Sequence, residues 1–73
     1  MQMWDKIKEA FNQSQKNLRI DNAAKQTFDL AMQGSIPKDN AIKTLLDHHR
    51  RATSHAVKDK IINRVRTVVY EKY

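Results

Sequence analysis

Apolar side chains recur along the first eighteen residues at alternating spacings of three and four positions. If successive residues are placed about 100° apart around a helix axis, seven side chains fall within about 60° of one line. They are Met3, Trp4, Ile7, Ala10, Phe11, Ser14 and Leu18. The charged side chains and most of the amide side chains point in other directions. This periodicity is typical of an amphipathic helix and predicts a helix over residues 3–18.

A second helix is predicted over residues 22–33, after a boundary near Asp21 and Asn22. Each of these residues carries a short side-chain acceptor that can cap the free backbone N–H groups at a helix start. The apolar stripe of this helix consists of Ala24, Phe28, Ala31 and Met32. Gly34, the only glycine in the chain, is expected to follow this helix in the left-handed conformation that often ends a helix.

Two more helices are predicted over residues 37–52 and 55–72. Pro37 favours a helix start because its missing N–H would have no partner there, and Ser35 is the expected cap. Thr53 and Ser54 then interrupt the pattern. We interpret them as a short connection in which Ser54 caps the last helix. The alternative, one continuous helix of about 35 residues, is unusual in a small domain.

The chain is therefore predicted to be a single all-α domain over residues 1–73, built as a small bundle of four amphipathic helices, with three helices as the alternative. The expected core consists of Trp4, Ile7, Phe11, Leu18, Phe28, Met32, Ile42, Leu45, Leu46, Val57, Ile61, Val65 and Val68. A domain of this size buries only about 60% of its unfolded surface. Homodimer formation through surplus apolar side chains is accordingly one expectation. The candidates are Leu30, Ile62, Val69, Tyr70 and Tyr73.

Positive charge is concentrated in the second half of the chain. The sequence has 14 Lys and Arg against 8 Asp and Glu, which gives a formal charge of +6. Residues 1–36 hold five basic and four acidic side chains, whereas residues 37–73 hold nine basic and four acidic ones. If the last two helices pack antiparallel, their cations can merge into one basic face. The candidate contacts are Lys43, Arg50, Arg51, Lys58, Lys60, Arg64 and Arg66.

A basic face of this kind is typical of proteins that bind nucleic acid through its phosphates. We therefore expect a small accessory or regulatory protein that binds DNA or RNA with weak sequence preference. The alternative is a protein-interaction module, an adaptor or inhibitor, that docks the same face on an acidic partner protein. The two hypotheses differ in whether oligonucleotides bind at low salt.

Other classes of function are not expected. The absence of cysteine excludes disulfides, thiolate zinc sites and cysteine nucleophiles, and a single glycine cannot build a phosphate-binding loop. His48, His49 and His55 match no established metal-binding spacing. We thus expect no enzyme activity, cofactor or metal. The sequence also has no apolar run of about 18 residues and no signal peptide, so we expect a cytoplasmic protein that does not enter the membrane.

Overall fold

The computed structural model describes the backbone of residues 2–70 and the side chains of residues 4–70. Within these residues the regular structure is entirely helical. Helix α1 spans Gln2–Met32, α2 spans Lys38–Arg51 and α3 spans His55–Tyr70. The predicted extension of the last helix to residue 72 lies outside the described residues. The helices run up, down and up, and each packs against the other two. The molecule measures 54 × 18 × 13 Å, because α1 is much longer than the hairpin formed by α2 and α3.

The prediction of four helices is wrong, because the first two predicted helices are one continuous helix. No glycine or proline lies between residues 2 and 32 to interrupt it. Asp21, read in the sequence as a helix cap, instead has its carboxylate Oδ1 2.7 Å from Nη1 of Arg64 on α3. Along this one helix the first apolar stripe is exposed to solvent, whereas the stripe that begins at Ala24 faces the core.

The end of α1 is closed by the predicted glycine. Gly34 has a φ of 76°, the left-handed conformation that glycine adopts most readily. The N–H of Gly34 donates to the carbonyl of Ala31 at 3.0 Å, and the N–H of Ser35 donates to that of Leu30 at 2.9 Å. These two bonds form a Schellman motif. Ser35 thus closes α1 and does not cap α2 as expected; the N-cap of α2 is Pro37, with no side-chain capping bond.

The predicted connection at Thr53 and Ser54 is confirmed, since residues 52–54 are not helical. The hydroxyl of Ser54 accepts a hydrogen bond from the N–H of Val57 at 3.4 Å, and the carbonyl of Ser54 accepts one from the N–H of Lys58 at 2.9 Å. Ser54 therefore starts α3 as the sequence predicts. This short turn brings α2 and α3 together as an antiparallel hairpin.

The core lies between this hairpin and the C-terminal half of α1. Four alanines take part, and their small side chains allow the helices to approach closely. The buried apolar residues are Ile20, Ala24, Ala31, Ala41, Leu45, Ala52, Ile61 and Val68. Of the predicted core residues, Leu45, Ile61 and Val68 belong to this buried set. Four others are partly buried against it: Phe28, Ile42, Val57 and Val65. The prediction is wrong for five large side chains that are exposed: Trp4, Ile7, Phe11, Leu18 and Leu46.

The N-terminal part of α1 projects beyond the hairpin. Every side chain from residue 4 to residue 14 is exposed, and we call this segment the arm. The turn between α2 and α3 lies beside the inner end of the arm, where the Thr53 hydroxyl donates to Oε1 of Gln13 at 3.0 Å. None of the described helices has the length and hydropathy needed to cross a membrane.

Candidate nucleic-acid interface

Two of the predicted cations lie at the C-terminal end of α2 and share one carboxylate. Asp47 Oδ1 lies 2.7 Å from Nη2 of Arg50, and Asp47 Oδ2 lies 3.2 Å from Nε of Arg51. The spacing of three and four residues places these side chains on one outer face of the helix. Both arginine side chains are at least half exposed, so the ion pairs are weak and a phosphate can compete for them. Lys43 is also exposed on α2 and forms no ion pair with a described residue.

Two predicted cations of α3 are engaged in contacts between helices. Lys58 donates from Nζ to the carbonyl of His49 at 2.8 Å, where a positive charge complements the C-terminal end of α2. Arg64 pairs with Asp21 of α1 at 2.7 Å, and each side chain is only 19% exposed. These contacts hold α3 against the other helices. Lys60 and Arg66 are exposed and form no ion pair within the described part of the chain.

The seven predicted cations do not line a common groove in this structure. Arg51 lies in a groove between α1 and α2, whereas Lys60 lies in a separate cleft between α1 and α3. Arg51 instead lines its groove together with two cations of α1, Lys16 and Arg19. These two residues are three positions apart and therefore lie on the same side of the helix. We call this the basic groove; its volume is about 590 Å³. It is lined by Phe11, Asn12, Gln15, Lys16, Arg19, Ile20 and Arg51.

The contribution of α1 was missed from the sequence because charge was counted over whole halves of the chain. The first half is nearly neutral overall, which conceals where its cations lie. A local signal was present, since residues 10–20 contain Lys16 and Arg19 but no Asp or Glu. None of the residues that line the basic groove is acidic. A charge count over single helix turns would have found this site.

A neutral histidine helps to position the guanidinium of Arg51. Nη2 of Arg51 lies 2.8 Å from Nδ1 of His48. Because an arginine side chain only donates, Nδ1 must be the acceptor and carry no proton. Burial lowers the pKa of His48 from its ordinary value of 6.5, the charge of Arg51 lowers it further, and Asp47 opposes both. The imidazole is therefore neutral at pH 7 and holds Arg51 at the edge of the basic groove.

The cleft on the other side, here the second cleft, is smaller and less basic. It has a volume of about 310 Å³ and is lined by Ser14, Asn17, Leu18, Asp21, Ser54, Val57 and Lys60. Its one cation, Lys60, shares the cleft with the carboxylate of Asp21. A phosphate here would meet less positive charge than in the basic groove.

Among the described residues, no three His, Asp or Glu side chains come together in a way that could hold a metal ion. Comparison of the chain with protein-family models, curated protein sequences and solved structures finds no match.

Proposed function

We propose that this chain is a small accessory or regulatory protein that binds nucleic acid through phosphate contacts and catalyses no reaction. One observation supports the proposal above the others. Cations from two different helices, Lys16 and Arg19 from α1 and Arg51 from α2, line one open groove that has no acidic side chain in its wall. Clustered cations of this kind need no sequence motif to attract a polyanion.

The chemistry of the groove suits phosphate better than it suits bases. The guanidinium of Arg19 can donate two parallel hydrogen bonds to a phosphate, and Lys16 adds a compact positive charge. Arg51 can donate through the N–H groups that do not contact Asp47 and His48. The amides of Asn12 and Gln15 provide further donors in the same wall. Phosphate contacts fix position but carry no sequence information, so we expect weak sequence preference on DNA or RNA.

The cations predicted from the second half of the chain take different parts in this proposal. The exposed Arg50 and Lys43 are proposed as outer contacts on α2, and the exposed Lys60 and Arg66 as outer contacts on α3. Lys58 and Arg64 are expected to contribute less. Their charged groups already bond a helix end and a carboxylate, respectively.

The direct test is fluorescence anisotropy with labelled duplex and single-stranded oligonucleotides of random sequence, at about 50 and 200 mM salt. If three or four cations contact duplex phosphates, the slope of log affinity against log salt should be about −3 to −4. The Lys16→Ala and Arg19→Ala variants should each reduce the affinity for all sequences and make the slope shallower by about 1. Lys25→Ala is the matched control, an exposed cation on the same helix that lines neither cleft.

The same measurement can reject the proposal. Absence of oligonucleotide binding at about 50 mM salt would exclude it, since phosphate contacts are strongest there. Equal losses for Lys25→Ala and Arg19→Ala would show that the basic groove is not the contact. Capture of a single acidic protein by the wild type but not by Arg19→Ala, without oligonucleotide binding, would support the protein-interaction hypothesis instead.

A further inference from the structure

A row of large apolar side chains on α1 is exposed to solvent. The exposed fractions are 58% for Trp4, 53% for Ile7, 62% for Phe11 and 54% for Leu18. We call these four residues the arm stripe. Isolated apolar residues are common on protein surfaces, but a continuous row containing two aromatic rings is typical of an interaction surface.

The chain's own hairpin does not cover the arm stripe. Asn17 hydrogen-bonds Thr53 in the hairpin turn, and Leu18 follows it about 100° further round the helix. Ile20, which is buried in the core, points about 200° away from Leu18. The arm stripe is therefore centred on the side of α1 opposite Ile20, and only Phe11 and Leu18, at its edges, line the clefts beside the hairpin.

The arm also lacks the packing that normally stabilises a short helix. Most helical stability in proteins comes from burial of an apolar face. The eleven residues of the arm have exposed side chains throughout. A partner seated on the arm stripe would supply the missing burial.

The spacing of the arm stripe fits a second helix of the same kind. Trp4, Ile7, Phe11, Ser14 and Leu18 are separated by three, four, three and four positions, which is the spacing of the a and d positions of a coiled coil. Such a seam is complementary to a copy of itself. Ser14 is the one polar position in it.

Charge favours an antiparallel pair of arms. Residues 37–70 hold eight basic and three acidic side chains, so each hairpin carries a formal charge of +5. A parallel pair would place two such hairpins side by side, whereas an antiparallel pair places them at opposite ends. The arm itself has mixed charge, with Asp5 and Glu9 against Lys6 and Lys8. It therefore offers no comparable repulsion.

We propose that two copies of the chain form an antiparallel homodimer through the arm stripe, with the two-fold axis near Phe11. Trp4 and Leu18 lie seven positions on either side of Phe11. Each Trp4 therefore reaches the level of Leu18 of the other copy, where Leu18 and Val57 line the second cleft. The indole ring packs there, against the exposed Leu18 and the partly buried Val57.

The exposed area indicates a reversible dimer. The four side chains of the arm stripe expose on the order of 350 Å² of apolar surface per copy. With the flanking atoms, the two copies bury about 1,000 Å² in total, near the lower limit for a specific interface. The dimer should therefore dissociate on dilution.

The test is sedimentation of the full chain over a range of concentrations, with the emission of Trp4 recorded on the same samples and no nucleic acid present. Trp4 is the only tryptophan, so its emission reports burial at this position. We expect a monomer of 8.6 kDa when dilute, a dimer when concentrated, and a shift of the emission to shorter wavelength in step with dimer formation.

Three variants locate the interface. Ile7→Glu should weaken the dimer by about 100-fold, because it places a charge in the seam at a position that lines neither cleft. Asn12→Glu adds the same charge to the arm about 140° from Ile7 and should leave the dimer within about threefold of the wild type. Ser14→Leu should tighten the dimer by about tenfold because it completes the seam.

Several results would overturn the proposal. A chain that remains monomeric at about 1 mM would exclude the proposal, because the dissociation constant of any dimer would then be too high for a specific interface of this size. A dimer that forms unchanged in Ile7→Glu, or a trimer or larger species, would also exclude it. None of these results depends on oligonucleotide binding, so the dimer and the proposed function can fail separately.

Discussion

Asn17 of α1 and Thr53 of the hairpin turn form two reciprocal hydrogen bonds. The backbone N–H of Thr53 donates to Oδ1 of Asn17 at 2.9 Å, and Nδ2 of Asn17 donates to the hydroxyl of Thr53 at 2.9 Å. The same amide accepts from the N–H of Ser54 at 3.1 Å and donates to the carbonyl of Gln13 at 2.8 Å. Asn17 is only 8% exposed, and these four bonds fill its capacity. One side chain therefore fixes the turn on α1.

Replacement of Asn17 by alanine should lower the free energy of unfolding by about 3 kcal/mol. The change removes four hydrogen bonds and leaves the backbone N–H groups of the turn without their acceptor. Urea denaturation measures the effect. Asn22→Ala, an exposed amide on the same helix, should change stability by no more than about 0.5 kcal/mol. Equal stabilities for the two variants would contradict the role of Asn17.

Replacement of Arg64 by glutamine should affect stability more than binding. Arg64 and Asp21 are both largely buried, and removal of the guanidinium leaves the carboxylate without its partner. We expect a loss of about 1 to 3 kcal/mol in urea denaturation, whereas Lys60→Gln on the same helix should change little. Under the proposed function, Arg51→Gln should lower oligonucleotide affinity more than Arg64→Gln does. The reverse order would show that Arg64 contacts the phosphates.

Replacement of Gly34 by alanine should cost about 1 kcal/mol through the backbone alone. A Cβ at this position would meet no atom within 4 Å, so there is no steric cost from neighbours. The cost arises because φ is +76°, a region that side chains with a Cβ disfavour. Gly34→Asn should lose less, since asparagine tolerates this conformation better. Thermal or urea denaturation compares the two variants, and an equal loss would point to another cause.

Lowering the pH should remove the stabilisation that neutral His48 provides. Its pKa in the folded chain is below 6.5, so the unfolded chain binds the proton more readily. The contribution is therefore fully present above pH 6.5 and is lost as the pH falls through the lower folded pKa. The stability difference between the wild type and His48→Gln, measured in urea, should accordingly shrink between about pH 7.5 and pH 5. A difference that stays constant would contradict this assignment.

The sequence predicted those features of the fold that depend on neighbouring residues. The helix ends near Gly34 and Ser54 follow from backbone conformation and from capping, both of which act over a few positions. The false boundary at Asp21 has the opposite origin. The absence of glycine and proline from residues 2–32 was a local sign of one helix, but the partner of Asp21 is Arg64, which is 43 positions away and cannot be identified from local pattern.

The candidate site was only partly predictable for a similar reason. Arg51 was identified from the charge of the second half, but Lys16 and Arg19, which line the same groove, belong to a helix whose net charge is only +1. The stripe from Trp4 to Leu18 was correctly recognised as amphipathic. Helical periodicity does not indicate whether the apolar face is covered by the same chain. Here that face is exposed to solvent.

The unbroken course of α1 from Gln2 to Met32 has a mechanical consequence. Without glycine or proline inside it, this helix of about 45 Å has no built-in hinge and behaves as a stiff lever. Any molecule that binds the free end of α1 therefore also fixes the orientation of the hairpin at the other end. A small change in the tilt of α1 at its free end therefore displaces the hairpin, which lies towards the other end, by a larger distance.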